Sequence, residues 1–312
     1  MTHVLEVDGL EVDYDNGVRA LDGATLTVSA GETVGIVGES GSGKSTLGSA
    51  VGGLLPPPAT IADGAVRVDG ADVHRLRPTE LRELRRDRLG FVFQEPIGSL
   101  DPTMRVGRQV ALVLRGRGDV LAHLERVRLT DPARVARSYP HQLSGGMAQR
   151  VAIAMAMARE PGILVADEPT AALDAQIRDD VLDVIFSLAA ETGTTILWLS
   201  HDLPAVGRRC SRVAVMYGGR VVESGAAADV LRAPQHPYTA ALVRAVPGAV
   251  EEGERLASIP GQPPVLTGPA KGCAFAPRCP EAVGSCGTSR PPLVRLRDRD
   301  VLCHRAPVGA GR

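Results

Sequence analysis

The sequence predicts an α/β fold: a mostly parallel core sheet flanked by helices, with antiparallel strands before it and a small loop-rich appendage after it. Three observations carry this prediction. Short apolar runs alternate with longer helical stretches between residues 33 and 217. A glycine-rich turn at residues 38–43 separates one such run from a helix start. After about residue 233 the composition turns to Pro, Gly and Cys. A chain of 312 residues is long enough to bury one large core and carry a second, smaller unit.

Taken in order, residues 1–35 alternate apolar and polar side chains, as in Val4, Leu5 and Val7, then Ala24 to Val28. That period of two predicts strands, with turns at Asp8-Gly9, Asp22-Gly23 and Ala30-Gly31. Thr33–Val37 reads as a short buried strand leading into a helix near Lys44, and residues 66–70 read as another edge strand. From about 95 to 160 the pattern is helical, with breaks at Pro102, Pro132 and Pro140. Strand and helix then alternate again through 163–166, 175–190, 195–199 and 213–217, the βαβ arrangement of a parallel sheet. Helical periodicity fades after Val246.

Composition excludes some functions. The formal charge of -1 provides no broad basic field for nucleic acid. The longest apolar stretch, 181–200, is interrupted by Asp183, Glu191, Thr192 and Gly193, so it does not read as a membrane span. The first ten residues lack a charged-then-apolar leader. A cytoplasmic location follows as an expectation, with any membrane role exercised through a partner.

Gly38, Glu39, Ser40, Gly41, Ser42, Gly43, Lys44 and Ser45 fit the pattern G-x-x-x-x-G-K-[ST] between a strand and a helix that continues with Thr46. Glycines let backbone N–H groups turn toward phosphates, and the helix N-terminus adds a positive dipole end. Lys44 is placed to reach the β- and γ-phosphates, and the Ser45 hydroxyl is an oxygen ligand suited to Mg²⁺. Downstream, Ile163–Ala166 is an apolar strand ending in Asp167 and Glu168. Asp167 is expected at Mg²⁺, and Glu168 at the attacking water.

Residues 143–150, Leu-Ser-Gly-Gly-Met-Ala-Gln-Arg, resemble the ABC signature, so the chain is identified as a member of the ABC family of P-loop NTPases. The resemblance covers roughly residues 3–233 and implies that Ser144, Gly145, Gly146 and Gln149 serve a nucleotide held by an opposing subunit. It further implies that Tyr14 stacks on adenine, and that Gln94 senses Mg²⁺ and the attacking water. Asp174 belongs to the D-loop 172–174, preceded by Ala171 where Ser or Thr is usual, and His201 contacts the γ-phosphate. Glu168, His201, Lys44 and Gln94 are then the catalytic set of an ATPase.

The tail narrows the family. Residues 235–242, 259–264 and 272–279, with 93–102 around Gln94, resemble the dipeptide/oligopeptide/nickel importer ATPases. The expected division is a nucleotide-binding domain at 1–233, its helical subdomain at about 95–160, and an extension at 234–312. The resemblance implies two transmembrane permease subunits, a second ATPase subunit (a homologue ahead of a second copy) and an extracytoplasmic substrate-binding protein. It places the chain on the cytoplasmic face of the membrane, with no nucleic-acid partner. Peptides are the expected cargo; nickel or another small solute is the alternative. A soluble ABC ATPase of translation or DNA repair is a further alternative, though it usually carries two cassettes or a coiled-coil insertion. An exporter motor, or a metal- or redox-sensing module centred on the cysteines, completes the set.

Cys273, Cys279, Cys286 and Cys303 are spaced C-x5-C-x6-C-x16-C, without the close C-x2–4-C pairs common at structural zinc. In a reducing compartment such a cluster reads as a metal site before a set of disulfides. Cys279-Pro280 is similar to the Cys-Pro ending of bacterial iron–sulfur runs. A [4Fe–4S] cluster is expected, in line with the resemblance, with zinc and metal-free thiols as the other readings. His304 is a spare ligand candidate, and Cys210 reads as a small buried hydrophobe.

Overall fold

The N-terminal alternation yields two long antiparallel strands, β1 (His3–Tyr14) and β2 (Arg19–Ser29), with Leu5 opposite Val28 and Val12 opposite Leu21. They belong to a computed structural model that describes residues 3–116, 118–171, 173–246, 258–296 and 299–306. Asp8-Gly9, expected as a turn, lies inside β1, where the register shifts between Val7 and Leu10. Buried positions run Leu5 and Val7, then Leu10 and Val12. The extra residue resets the alternation so that one face stays apolar, which is what a β-bulge does. Asp22-Gly23 likewise falls within β2 and not in a turn.

The chain forms two units, residues 1–75 with 199–312, and residues 76–198. In the first, β3 (Thr33–Val37) leads through the glycine-rich loop into α1 (Lys44–Val51). β4 (Ala59–Val68) pairs with β1 on one side and with the two-residue β5 (Ala71–Asp72) on the other. The strand expected at 66–70 is therefore longer than its sequence signal and interior, and β5 takes the edge.

The second unit begins with α2 (Pro78–Asp87), a helix the periodicity did not announce, since none of its residues is buried. Pro78 at its first position and the Glu80 carboxylate accepting from Arg77 N–H define its start. β6 (Leu89–Val92) runs parallel to a buried strand described below. Helices α3 (Val106–Leu114), α4 (Val120–Arg126), α5 (Pro132–Arg137) and α6 (Gly145–Met157) fill the expected helical stretch. Asp119, Asp131 and Ser144 cap three of them through their side chains. β7 (Ile163–Asp167) is the parallel partner of β6, α7 (Ala175–Thr192) closes on Gly193 at φ 68°, and the fully buried β8 (Thr195–Ser200) carries the chain across the unit boundary.

Back in the first unit, α8 (Leu203–Arg209) precedes β9 (Arg212–Tyr217), parallel to β3, and β10 (Arg220–Ala226), antiparallel to β9. Two short helices, α9 (Ala227–Arg232) and α10 (Pro237–Arg244), follow. The appendage is not all loop. β11 (Leu293–Leu296) and β12 (Arg299–Leu302) form a hairpin, and β12 pairs with β10 through Glu223 opposite Val301. Val301, Cys303 and Ala306 make a small core beneath it, against Val294 and Leu296. Among the described residues, no helix is long and apolar enough to cross a membrane.

Candidate active site

The loop at residues 38–45 has the conformation its glycines foretell. Gly43 sits at φ 102°, and a Cβ there would lie 2.7 Å from the Ala20 carbonyl. A Cβ on Gly38 would lie 2.3 Å from the Met216 carbonyl, so the loop packs backbone to backbone. The buried Lys44 ammonium folds onto its own loop, donating to the carbonyls of Gly38 at 2.8 Å and Glu39 at 3.1 Å. Ser42 is buried, and its hydroxyl has no hydrogen-bond partner among the described residues. Ser40 and Ser45 are exposed. A cleft over the loop is lined by residues 18–20, 40–46 and 263–266, so a segment more than 200 positions downstream walls one side of it. Leu266 is tied there by its carbonyl, which accepts from Arg19 N–H at 2.8 Å. Tyr14, half-buried at the end of β1, meets the Thr46 hydroxyl at 3.3 Å. His201 is exposed in the turn after β8, just before Asp202 caps α8.

In the second unit, Asp167 ends β7 and Glu168 follows at φ 43°, a left-handed conformation unusual for glutamate. Gln94 is exposed beyond β6. Ser144 caps α6, its hydroxyl accepting from Met147 N–H, with Gly145 exposed and Gly146 buried. A Cβ on Gly146 would come within 2.9 Å of Ile177, so α6 and α7 meet there. Gln149 is buried, its amide nitrogen without a hydrogen-bond partner among the described residues. Asp174 caps α7 by accepting from Ile177 N–H; Ala172 lies outside the described residues.

Some organising residues carried no sequence signal. Gln109 is buried and fully satisfied: its oxygen accepts from Asp101 N–H, and its amide donates to the Asp101 and Met104 carbonyls. This fixes the loop that follows Gln94. In the first unit, Glu223 is fully buried and accepts from Gln235 N–H, His236 N–H and Arg299, which starts α10 and holds β12.

Cys273, Cys279, Cys286 and Cys303 all line one cavity with His236, and all four are free thiols. Burial pushes the thiols of Cys273, Cys279 and Cys303 up from the ordinary value. Among the described residues, however, no three His, Cys, Asp or Glu side chains gather closely enough to hold a metal ion. The metal expected at these cysteines is thus not borne out by their spacing. His304 bonds through Nε2 to the Ser289 carbonyl, and buried Cys210 is the small hydrophobe its sequence context implied.

Residues 21–171 match the ABC transporter family, and residues 222–286 match the oligopeptide/dipeptide transporter C-terminal region. The chain is 42% identical over 302 residues to the oligopeptide transport ATP-binding protein OppD of Salmonella typhimurium, covering 93% of this chain and 90% of that protein. This chain belongs to the ABC transporter family. Within the family it is also 39% identical over 322 residues to the dipeptide transport ATP-binding protein DppD of Escherichia coli, covering 99% of this chain and 98% of that one. The dimeric ATP-binding cassette MJ0796, solved with ADP and Pi, superposes with a TM-score of 0.63 at 33% identity, covering 72% of this chain and 98% of that chain. Both the ABC cassette and the importer-type tail that the sequence resembled are members of this family's make-up.

Proposed function

We propose that this chain is the ATP-hydrolysing motor of a peptide importer, working at the cytoplasmic face of a membrane against permease subunits. The observation that carries the reading is one chain joining an ABC cassette to an oligopeptide/dipeptide-type C-terminal region. The names of its OppD and DppD relatives supply the cargo class. Two permeases, a homologous second ATPase and an extracytoplasmic binding protein complete the assembly. The division at about residue 233, and a helical subdomain at about 95–160, belong to the same proposal.

The residues divide the work. Lys44 and the loop N–H groups hold the phosphates, and Tyr14 stacks on adenine. Ser45, Asp167 and Gln94 offer oxygens suited to Mg²⁺, which when bound neutralises charge on the β- and γ-phosphates. Glu168 orients and polarises the attacking water, and His201 hydrogen-bonds the γ-phosphate as charge develops there. Ser144, Gly145 and Gly146 present a capped helix N-terminus to the nucleotide of the opposing subunit, with Gln149 supporting that helix and Asp174 at the seam.

Cys273, Cys279, Cys286 and Cys303 offer four sulfur donors to one cavity, but among the described residues they do not gather closely enough for a metal ion, so neither a [4Fe–4S] cluster nor zinc is assigned to them.

Affinity purification from native membranes under anaerobic conditions, followed by mass spectrometry, tests the assignment. Two multi-span permeases, a second ATPase and a peptide-type binding protein are expected. Recovery of translation or DNA-repair proteins with no permease overturns it.

A further inference from the structure

Glu39 is the second residue of the phosphate loop, yet its N–H and its carboxylate are both held from the C-terminal extension. Its N–H donates to the Tyr238 hydroxyl at 2.9 Å, and its carboxylate accepts from Arg278 at 2.8 and 3.1 Å. The Arg278 side chain is only 5% exposed, and all five of its N–H donors are used. Nε donates to the Pro260 carbonyl, Nη1 to Glu39 and the Tyr217 hydroxyl, and Nη2 to Glu39 and the Ile259 carbonyl. A lysine, with three donors on a point charge, cannot reproduce that fork.

The surroundings are aromatic and closely packed. Tyr217, Tyr238 and Phe275 pack with ring centroids 4.4 to 5.4 Å apart, and the guanidinium stands 5.7 Å from the Tyr217 ring. The Glu39 carbonyl accepts from Lys44 Nζ, so the clamp is one peptide unit from the phosphate-binding ammonium. A loop already fixed loses less entropy when a ligand docks, and that difference appears as affinity.

We propose that Arg278 is a positioning residue for nucleotide binding: through Glu39 it fixes the phosphate loop around Lys44, so the extension sets the ATP affinity of its own chain. This rests on the ATP reading above. The residues involved lie far apart in sequence, and none of them other than Glu39 belongs to the loop.

The test uses the full chain with Mg²⁺ and a fluorescent ATP analogue, titrated to equilibrium, with thermal melting recorded for every variant. Arg278→Gln and Glu39→Gln are each expected to weaken binding about tenfold, since either change leaves a poorly solvated charge without its partner. The double variant should bind no worse than the weaker single, the non-additivity of one shared contact. Tyr238→Phe should weaken binding by a smaller factor. Unchanged affinity in Arg278→Gln with wild-type melting overturns the proposal, as does simple additivity in the double variant. If Arg278→Gln does not fold, unchanged affinity in both Glu39→Gln and Tyr238→Phe overturns it equally. Lys44→Ala separates the two readings. Wild-type protein that binds no nucleotide, with Lys44→Ala indistinguishable from it, removes the ATP reading and this proposal together. Binding lost in Lys44→Ala but kept in Arg278→Gln removes this proposal alone.

Discussion

Asp22 on β2 and Arg220 on β10 form an ion pair at 2.6 Å, with side chains 0% and 5% exposed. Arg290 reaches the same carboxylate at 2.9 Å, and Arg220 also donates to the carbonyls of Ala270 and Gly272. One buried carboxylate thus gathers β2, β10 and residues 270–290. Removing one partner of such a pair leaves the other charged and buried, which costs about 3–5 kcal/mol. Asp22→Ala is expected to lower unfolding stability by that order in urea titration and to expose residues 258–296 to protease. A loss below about 1 kcal/mol with unchanged proteolysis would show the pair to be incidental.

Glu168 occupies the left-handed region at φ 43°, where a residue with a Cβ is held at a cost of about 1 kcal/mol. Strain of this kind beside a reacting group favours function over stability. Glu168→Gln keeps the strain and should melt like wild type, binding ATP while losing turnover. Glu168→Gly should also lose turnover, yet melt no lower and gain up to about 1 kcal/mol. Retained ATPase activity in Glu168→Gln would falsify the role assigned to it. Melting of Glu168→Gly well below Glu168→Gln would remove the strain argument.

What the sequence made legible was local. Residues 38–45 require positive φ and close backbone approach, and glycine states both needs within one short window. Asp167 and Ser144 were equally readable, because a strand end or a helix head is decided by a few neighbours; Asp174 came only through the family's D-loop, and its cap on α7 is seen in the structure. Asp8-Gly9 shows the limit: the dipeptide suits a turn or a bulge, and pairing with β2 and β4 selects the bulge. β12 has one fully buried residue, Val301, so too little periodicity to announce a strand that β10 creates by pairing. Glu39 and Arg278 are 239 positions apart, and no local pattern links a phosphate-loop acid to an arginine beside a cysteine.

Cys210 provides a test of burial against pH. Its thiol is 7% exposed and, by desolvation, is pushed up to about 12 from the ordinary 9.0. The folded chain therefore keeps the proton that the unfolded chain releases above pH 9.0. Stability from this group is complete below that pH and falls as pH rises toward 12, by a total on the order of 4 kcal/mol. Cys210→Ala should flatten the alkaline fall of stability between those values. A thiol reagent at pH 8 should label Cys210 only as fast as the chain opens; rapid native-state labelling at that residue would contradict its burial.

Gln109 gives the last test, because one side chain holds a whole loop. Its amide makes three hydrogen bonds, to Asp101 N–H and to the carbonyls of Asp101 and Met104, and it is 5% exposed. Gln109→Leu has nearly the same volume but strands three backbone groups, each a loss of about 1 kcal/mol or more. The expected result is a stability lower by about 3 kcal/mol or more by urea titration and faster hydrogen exchange at the Asp101 amide. Gln94 lies only seven positions before Asp101. ATPase stimulation by reconstituted permeases should therefore fall more than the unstimulated rate, if this loop links permease contact to the Mg²⁺ and water sensing that the family resemblance implies for Gln94. Equal loss of both rates would assign Gln109 to folding alone.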